Sequence, residues 1–513
     1  MEAITPCMDN EESHGEIRQR HRRAIDEATA EITFGAWIDG ETRSASTGET
    51  FRTTDPVIDE TIAEVPRCTS EDIETAVDAA QSSFKGEWSD LGVTERSALL
   101  NEWADELSAH RDTLGLLESL DTGKPLEYAK EEIDGAVAFL SYYADIARSH
   151  GGKQIPVDGD SLVYTQREPY GVCGQITPWN FPLYLLSWKV GPALATGNTV
   201  VIKPAELTPL TALYAAQLSE GILPDGVLNV VPGYGEEAGA PLTEHEDVRK
   251  LAFTGEDLTG ETIMKAAAAN ITPVTLELGG KSPMIVFPDA DVETAAEAAA
   301  DGIFYNTGQA CDAASRILLH EDIKEEFTEA FLDHAADYTV GDPLEEGTMM
   351  GPLAHQGQYE KVTDYIELGT EEGATVLTGG SAPDDPDLED GWFIEPTIFD
   401  DVSNDMRIAQ EEIFGPVECL LTFSDYDEAI EMANDIEYGL AGYVITENAS
   451  LAHQAASDIE AGLIAVNKYP GDDLGVPFGG YKRSGIGREC AEETLDHYTQ
   501  TKTVNMRLDE PEL

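Results

Sequence analysis

The chain has 513 residues, 99 of them Asp or Glu against 31 Lys or Arg, and carries a formal charge of −68. That length favours two or three domains, each with its own core, and a 41% hydrophobic fraction with clear apolar periodicity excludes charge-driven disorder for most of it. A polyanion of this size is not expected to bind nucleic acid or an anionic membrane, because such binding needs clustered Lys and Arg.

The acids are spread along the whole chain rather than gathered in a tail, as expected of a protein kept soluble in the very high salt of a halophile's cytoplasm. Six cysteines (Cys7, Cys68, Cys173, Cys311, Cys419 and Cys490) are too scattered to staple the chain, and no CxxC or Cys/His cluster points to a metal. The N-terminus lacks an apolar signal core. The longest apolar stretch, Leu183 to Ile202, is broken by Lys189, Pro192 and Gly197, short of the roughly 20 apolar residues a membrane span needs. A soluble cytoplasmic protein is expected.

Residues 1–32 read as a solvated polar arm or helix carrying the basic run RQRHRR, Arg18 to Arg23. From Thr69 a helix is predicted, since Ile73, Ala76, Val77, Ala80 and Phe84 recur at helical steps, and a second helical stretch runs from about Thr94 to Leu114. Between about 170 and 280, strand-like GVCGQITPW, TVVIKPA, VLNVVPG, KLAFTG and PVTLELGG alternate with helices after Phe181, Thr208, Glu236 and Leu258. Strands apolar on both faces, alternating with helices, predict a parallel sheet covered on both sides, with ligands at the strands' carboxyl ends. A second α/β region, with strands such as MIVF, RILLH and GYVIT, spans about 281–485, and SAPDDPDLEDG (Ser381 to Gly391) reads as a surface loop.

The nearest match to a GxGxxG dinucleotide turn is GYGEEAG (Gly233, Gly235, Gly239), one residue too long. FTGEDLTG places Gly255 and Gly260 at a strand-to-helix junction, where backbone N–H groups can approach a pyrophosphate. More distinctive are TPWNFP (Thr177 to Pro182), KPAE (Lys203 to Glu206), ELGGKSP (Glu277 to Pro283), NTGQAC (Asn306 to Cys311), EEIFGPV (Glu411 to Val417) and PFGGYKRSGIGRE (Pro477 to Glu489).

In this order and approximate spacing the six strings resemble the aldehyde dehydrogenase superfamily, over about residues 33–506. The resemblance implies Cys311 as the nucleophile, Asn180 as the oxyanion donor and Glu277 as the base that activates the hydrolytic water. A thiolate attacks carbonyls readily, a neutral amide stabilises the oxyanion without competing as an acid, and a partly dry carboxylate can take a proton near neutral pH. It implies NAD rather than NADP, because Lys203 and Glu206 match positions at the adenosine ribose and a carboxylate there repels a 2′-phosphate. Glu412 and Phe414 match the nicotinamide-ribose pair, while Ile176, Trp179, Gly235 and Gly255 line the cofactor crevice. Glu256 departs from the Ser common in the family, and its acid would repel a nearby pyrophosphate unless it points to solvent.

Phe181, Tyr184, Trp188, Ala310, Asp312, Asp472 and Phe478 match the substrate tunnel. Acidic Asp312 argues against aldehydes ending in a carboxylate and favours small or cationic ones. The expected fold is α/β. It has a Rossmann-like NAD-binding domain (33–149 and 170–279), an α/β catalytic domain (280–490) and a small β element for oligomerisation (150–169 and 491–513). Strand addition by that element predicts a homodimer or homotetramer. The expected reaction is oxidation of an aldehyde to the free acid through a cysteine thiohemiacetal and thioester. Acyl transfer to coenzyme A, and a non-catalytic binding protein on the same fold, are the alternatives.

Overall fold

The computed structural model describes residues 10–469 and 474–508, with side chains from residue 15 onward. It has the α/β architecture expected: two large sheets clothed by helices, a small third sheet, and a two-stranded hairpin of Thr50–Asp55 with Glu60–Pro66. The first sheet runs, edge to edge, Gly485–Ile486, Val274–Glu277, Val248–Thr254, Val172–Ile176, Thr199–Lys203, Leu228–Val230, Ala36–Ile38 and Glu41–Arg43. The five central strands are mutually parallel. Chain order reverses between Val172–Ile176 and Val248–Thr254, and a crevice opens at the carboxyl ends of such a pair.

These strands are apolar on both faces because helices cover both; Thr199–Lys203 is buried along its whole length. Helix Ser70–Lys85 buries Ile73, Ala76, Val77 and Ala80 against one face, and the Thr69 N-cap is completed by a capping box with Asp72. Helix Pro182–Ala195 covers the other face. The stretch expected near Thr94–Leu114 is two helices, Val93–Ala109 and Arg111–Thr122. They are separated at His110, whose ψ of 18° leaves helical geometry.

The second sheet orders Thr375–Thr378, Thr397–Asp400, Val417–Phe423, Arg316–His320, Pro283–Val286, Ala441–Ile445 and Leu463–Val466. It is parallel except for its first strand. The edge strand Gly485–Ile486 lies within the 280–490 segment, yet it pairs antiparallel with Val274–Glu277 of the first sheet. The third sheet joins Gln154–Ile155, Ser161–Pro169 and Thr499–Arg507. Thr499–Arg507 is exposed along most of its length. Among the described residues no helix is long and apolar enough to cross a membrane, and no group of three or more His, Cys, Asp or Glu is placed to hold a metal.

The basic run is the helix that the reading of a solvated arm or helix allowed, but it is not freely solvated. Helix Asn10–Thr29 is docked, because an acidic protein offers carboxylates on every side. Arg18 pairs with Glu60 and Asp390, Arg20 with Asp342 at 2.7 Å, and Arg22 with Glu60 at 2.6 Å. His21 is fully buried, with Nδ1 2.5 Å from Asp55 and Nε2 2.9 Å from Asp342. Burial alone would lower its pKa, but the bonds to Asp342 and Asp55 outweigh it and raise the value from 6.5 to about 9. A folded-state pKa above the unfolded one makes this stabilisation complete below pH 6.5 and lost as pH rises through about 9. Thermal unfolding followed from about pH 6.5 to pH 10 is expected to lose stability of order 3 kcal/mol, and His21→Asn to flatten that dependence. An identical pH profile in the variant would contradict the clamp.

Candidate functional site

The crevice at the strand ends collects most of the expected residues. Ile176 ends the central strand in register with Phe253 on one side and Lys203 on the other. Thr254 and Glu277 end the next two strands side by side. Past Ile176, the Thr177 N–H donates to the Lys203 carbonyl at 3.2 Å and the Thr208 hydroxyl to the Trp179 carbonyl at 3.1 Å. Asn180 is thereby presented just before helix Pro182–Ala195, which opens on a proline where an N–H would lack a helical partner.

Asn180 is buried, and its Nδ2 donates to the main-chain carbonyl of Gln309 at 2.9 Å. Gln309 belongs to the loop carrying Cys311. That loop leaves helix Val292–Phe304 through Asn306 and Thr307, with φ of 49° and 57°, which non-glycine residues seldom adopt. Bonds hold it there: Thr307 Oγ1 to the Gly351 carbonyl at 3.1 Å, the Ala354 N–H to Gln309 Oε1 at 3.0 Å, and Gln309 Nε2 to the Asn306 carbonyl at 3.1 Å. Gly308 has φ 71°, and a Cβ there would lie 2.1 Å from the Gly415 carbonyl oxygen, so only glycine fits. Cys311 is half-buried, whereas Cys68, Cys173, Cys419 and Cys490 are buried. Burial lifts the thiols of Cys173 to about 12 and Cys419 to about 11, which leaves them inert.

Glu277 is buried, 3% exposed, and neither carboxylate oxygen has a hydrogen-bond partner. Burial first and Glu489 second push its pKa well above the usual carboxylate range, while Lys189 and Arg488 pull it down. Lys189 and Glu489 form a buried pair at 2.7 Å. The Gly279–Gly280 turn after Glu277 packs directly on the Cys311 main chain: a Cβ on Gly280 would stand 2.6 Å from the Cys311 carbonyl oxygen. Ser484 fastens this turn, donating to the Gly279 carbonyl at 2.7 Å.

Around the same crevice lie the residues expected to face a nucleotide. Lys203 Nζ donates to Glu206 at 3.0 Å and to the Pro204 carbonyl at 2.9 Å, and burial lowers its pKa. Gly239 abuts the Lys203 side chain, whereas Gly235, at the exposed start of the Gly235–Gly239 turn, has open space around it. Gly255 follows Thr254, whose buried hydroxyl has no partner. Glu256 is exposed, and the acid beside it, Asp257, is held by Arg483 at 2.6 Å. Glu412 accepts the Gly280 N–H at 3.0 Å, and burial raises its pKa to about 7. Phe414, at φ 62°, meets the Trp179 ring edge-on at 5.3 Å.

Phe181 stacks on Tyr305 at 6.1 Å. Tyr184, Trp188 and Phe478 form a chain of rings, 5.3 Å between neighbours. Asp312 accepts from the Tyr469 hydroxyl at 3.3 Å, and burial raises its pKa to about 6. Ala310 is buried next to the nucleophile. Asp472 lies outside the described residues.

Sequence reading missed Lys189 with Glu489, Lys124, Gln309 and His355, which sits 5.3 Å from the Trp179 ring. One signal was visible: a lone lysine inside the apolar stretch Leu183 to Ile202 requires a buried anion.

Residues 42–504 match the model of the aldehyde dehydrogenase family. The chain is 46% identical over 480 residues to an aldehyde dehydrogenase of Emericella nidulans, covering 93% of this chain and 96% of that one. The aldehyde dehydrogenase of Bacillus cereus, solved as its NAD+ complex, is similar with 46% identity and a TM-score of 0.92 over 94% of this chain and 98% of that one. Betaine aldehyde dehydrogenase of Staphylococcus aureus, solved with NAD+, shows 39% identity and a TM-score of 0.93 over 96% of this chain and 98% of that one.

Proposed function

The chain belongs to the aldehyde dehydrogenase family and oxidises an aldehyde with NAD, and from that premise we propose how its own residues carry the reaction. The observation that carries this reading is the bond from Asn180 Nδ2 to the Gln309 carbonyl, two residues before an accessible Cys311, with an unpaired, buried Glu277 on the adjoining turn.

The Cys311 thiolate attacks the aldehyde carbon, and the carbonyl electron pair moves to oxygen. One Asn180 amide hydrogen is committed to Gln309; the other, with the Cys311 N–H, receives the oxyanion. When bound, NAD supplies the acceptor for the hydride that leaves as the carbonyl re-forms. Cys311 then holds a thioester. Glu277 takes a proton from water, whose oxygen attacks the thioester carbon; Cys311 departs as thiolate and the acid is free. Glu277 favours this hydrolysis over transfer to coenzyme A.

The crevice suits NAD chemically: Glu206 and Glu412 offer carboxylates to ribose hydroxyls, and the residue before Gly255, Thr254, has a buried hydroxyl without a partner. Lys203 and Glu206 hold the adenosine ribose, Glu412 and Phe414 the nicotinamide ribose, and Ile176, Trp179, Gly235 and Gly255 line the cleft. Exposure of Glu256 keeps its charge off the phosphates. Phe181, Tyr184, Trp188, Phe478 and Asp312 form the aldehyde tunnel. Asp312, bonded to a tyrosine hydroxyl and to no cation among the described residues, supports small or cationic aldehydes.

The domains divide as 33–149 with 170–279 for nucleotide and 280–490 for catalysis, the strand Gly485–Ile486 crossing back. The exposed strand Thr499–Arg507, with Met506, Leu508 and Ile155 presenting apolar surface, supports dimers or tetramers by strand addition. A charge of −68 spread along the chain supports adaptation to high salt in a cytoplasm.

Cys311→Ala is expected to abolish NADH formation. Glu277→Gln is expected to give one NADH per site in a fast burst and then turn over about 100-fold or more slowly. Wild-type rates in the Cys311 variant would defeat the mechanism. In steady-state kinetics at high salt, NAD is expected to outperform NADP, and betaine aldehyde or acetaldehyde to outperform succinic semialdehyde; the reverse order would overturn the roles of Glu206 and Asp312. Light scattering in molar KCl is expected to return a dimer or tetramer, and a stable monomer would exclude strand addition.

A further inference from the structure

The turn between helices Arg111–Thr122 and Leu126–Ile146 carries a lysine for which the mechanism above has no use. Lys124 is 2% exposed. Its main chain is fixed from both sides: Gly123 caps the first helix at φ 82°, Ser119 Oγ donates to the Lys124 carbonyl at 2.8 Å, and Pro125 opens the second helix. Each helix supplies one counter-ion. Glu132 lies 2.5 Å from Nζ and Glu118 lies 3.8 Å away, both carboxylates buried. Burial pushes the Glu132 carboxyl well above its usual range, and Lys124 draws it down while Glu118 adds to the rise.

A carboxylate, a main-chain carbonyl and an aromatic ring surround the ammonium. Besides Glu132, Nζ donates to the main-chain carbonyl of Asn180 at 2.9 Å and stands 4.4 Å above the centre of the Phe181 ring. The Asn180 carbonyl also accepts from Asn306 Nδ2 at 3.2 Å, so a cation from one domain and an amide from the nucleophile loop grip the same oxygen. A buried ion cluster of this kind adds little to stability compared with an apolar cluster of equal volume, which directs attention to what it holds.

We propose that Lys124, clamped by Glu118 and Glu132, is the positioning residue that sets the main chain of Asn180 so that its side-chain amide meets the oxyanion. The inference rests on the role given to Asn180 above. Lys124 touches neither the cleft residues Lys203 and Glu206 nor Glu412, so its loss falls on chemistry rather than on nucleotide binding.

Lys124→Met and Asn180→Ala, alone and combined, give a double-mutant cycle read by single-turnover NADH formation. Lys124→Met is expected to slow that step about 10- to 100-fold in the wild-type background, with the KM for NAD within about 2-fold. On the Asn180→Ala background it is expected to cost less than about 2-fold, because the group it positions is gone. Lys124→Gln, which keeps a polar tip for Glu132, takes its place if the methionine variant does not fold. Equal losses on both backgrounds, or an undiminished rate in the folded single variant, would overturn the role of Lys124. A wild-type rate in Asn180→Ala alone would instead overturn the oxyanion role of Asn180.

Discussion

The hydrogen bond from the Asn180 amide to the Gln309 carbonyl ties the first sheet to the loop that carries Cys311. Asn180 extends from the central strand of the first sheet, and Gln309 stands two residues before the sulfur. The tetrahedral intermediate proposed at Cys311 would need its donor placed within a few tenths of an ångström, which directed hydrogen bonds fix more tightly than packing. The surrounding bonds serve this one: Asn306 to the Asn180 carbonyl, Gln309 to Ala354, and Thr307 to Gly351 each remove a way for the loop to slip. Positive φ at Asn306 and Thr307 is sustained by the same bonds.

Charge is distributed by a second rule. Most of the acid excess is at the surface, and several interior charges are met by counter-ions or main-chain carbonyls: Lys189 by Glu489, Lys124 by Glu132, and Arg316 by the carbonyls of Lys281, Met432 and Ala433. Neither oxygen of Glu277 has a hydrogen-bond partner, and burial raises its proton affinity. The base proposed at this position would be too weak an acceptor at neutral pH if it were neatly paired.

Much of the architecture was legible because its signals are local. The strands of the first sheet are short runs of β-branched and apolar residues between helical repeats, and TVVIKPA, for example, is a strand buried along its whole length. The site was legible where unusual strings cluster at strand ends, as in TPWNFP and ELGGKSP. What sequence could not reveal depends on contacts across hundreds of residues. Lys189 and Glu489 are 300 positions apart, and the return of Gly485–Ile486 to the first sheet follows from register alone. The basic run at Arg18 to Arg23 was misread as solvated because composition says which charges exist, not which carboxylates they reach.

The returning strand also constrains how the chain can be built. Val274–Glu277 has Val248–Thr254 on one side and only Gly485–Ile486 on the other. During synthesis from the N-terminus, this edge of the first sheet therefore stays open until the segment around Gly485 has left the ribosome. The carboxylate at the end of that edge, Glu277, acquires its dry surroundings at the same late moment, when Gly479 and Glu489 arrive beside it. A nascent or truncated chain ending before that segment holds the sulfur and the amide but has no enclosed base.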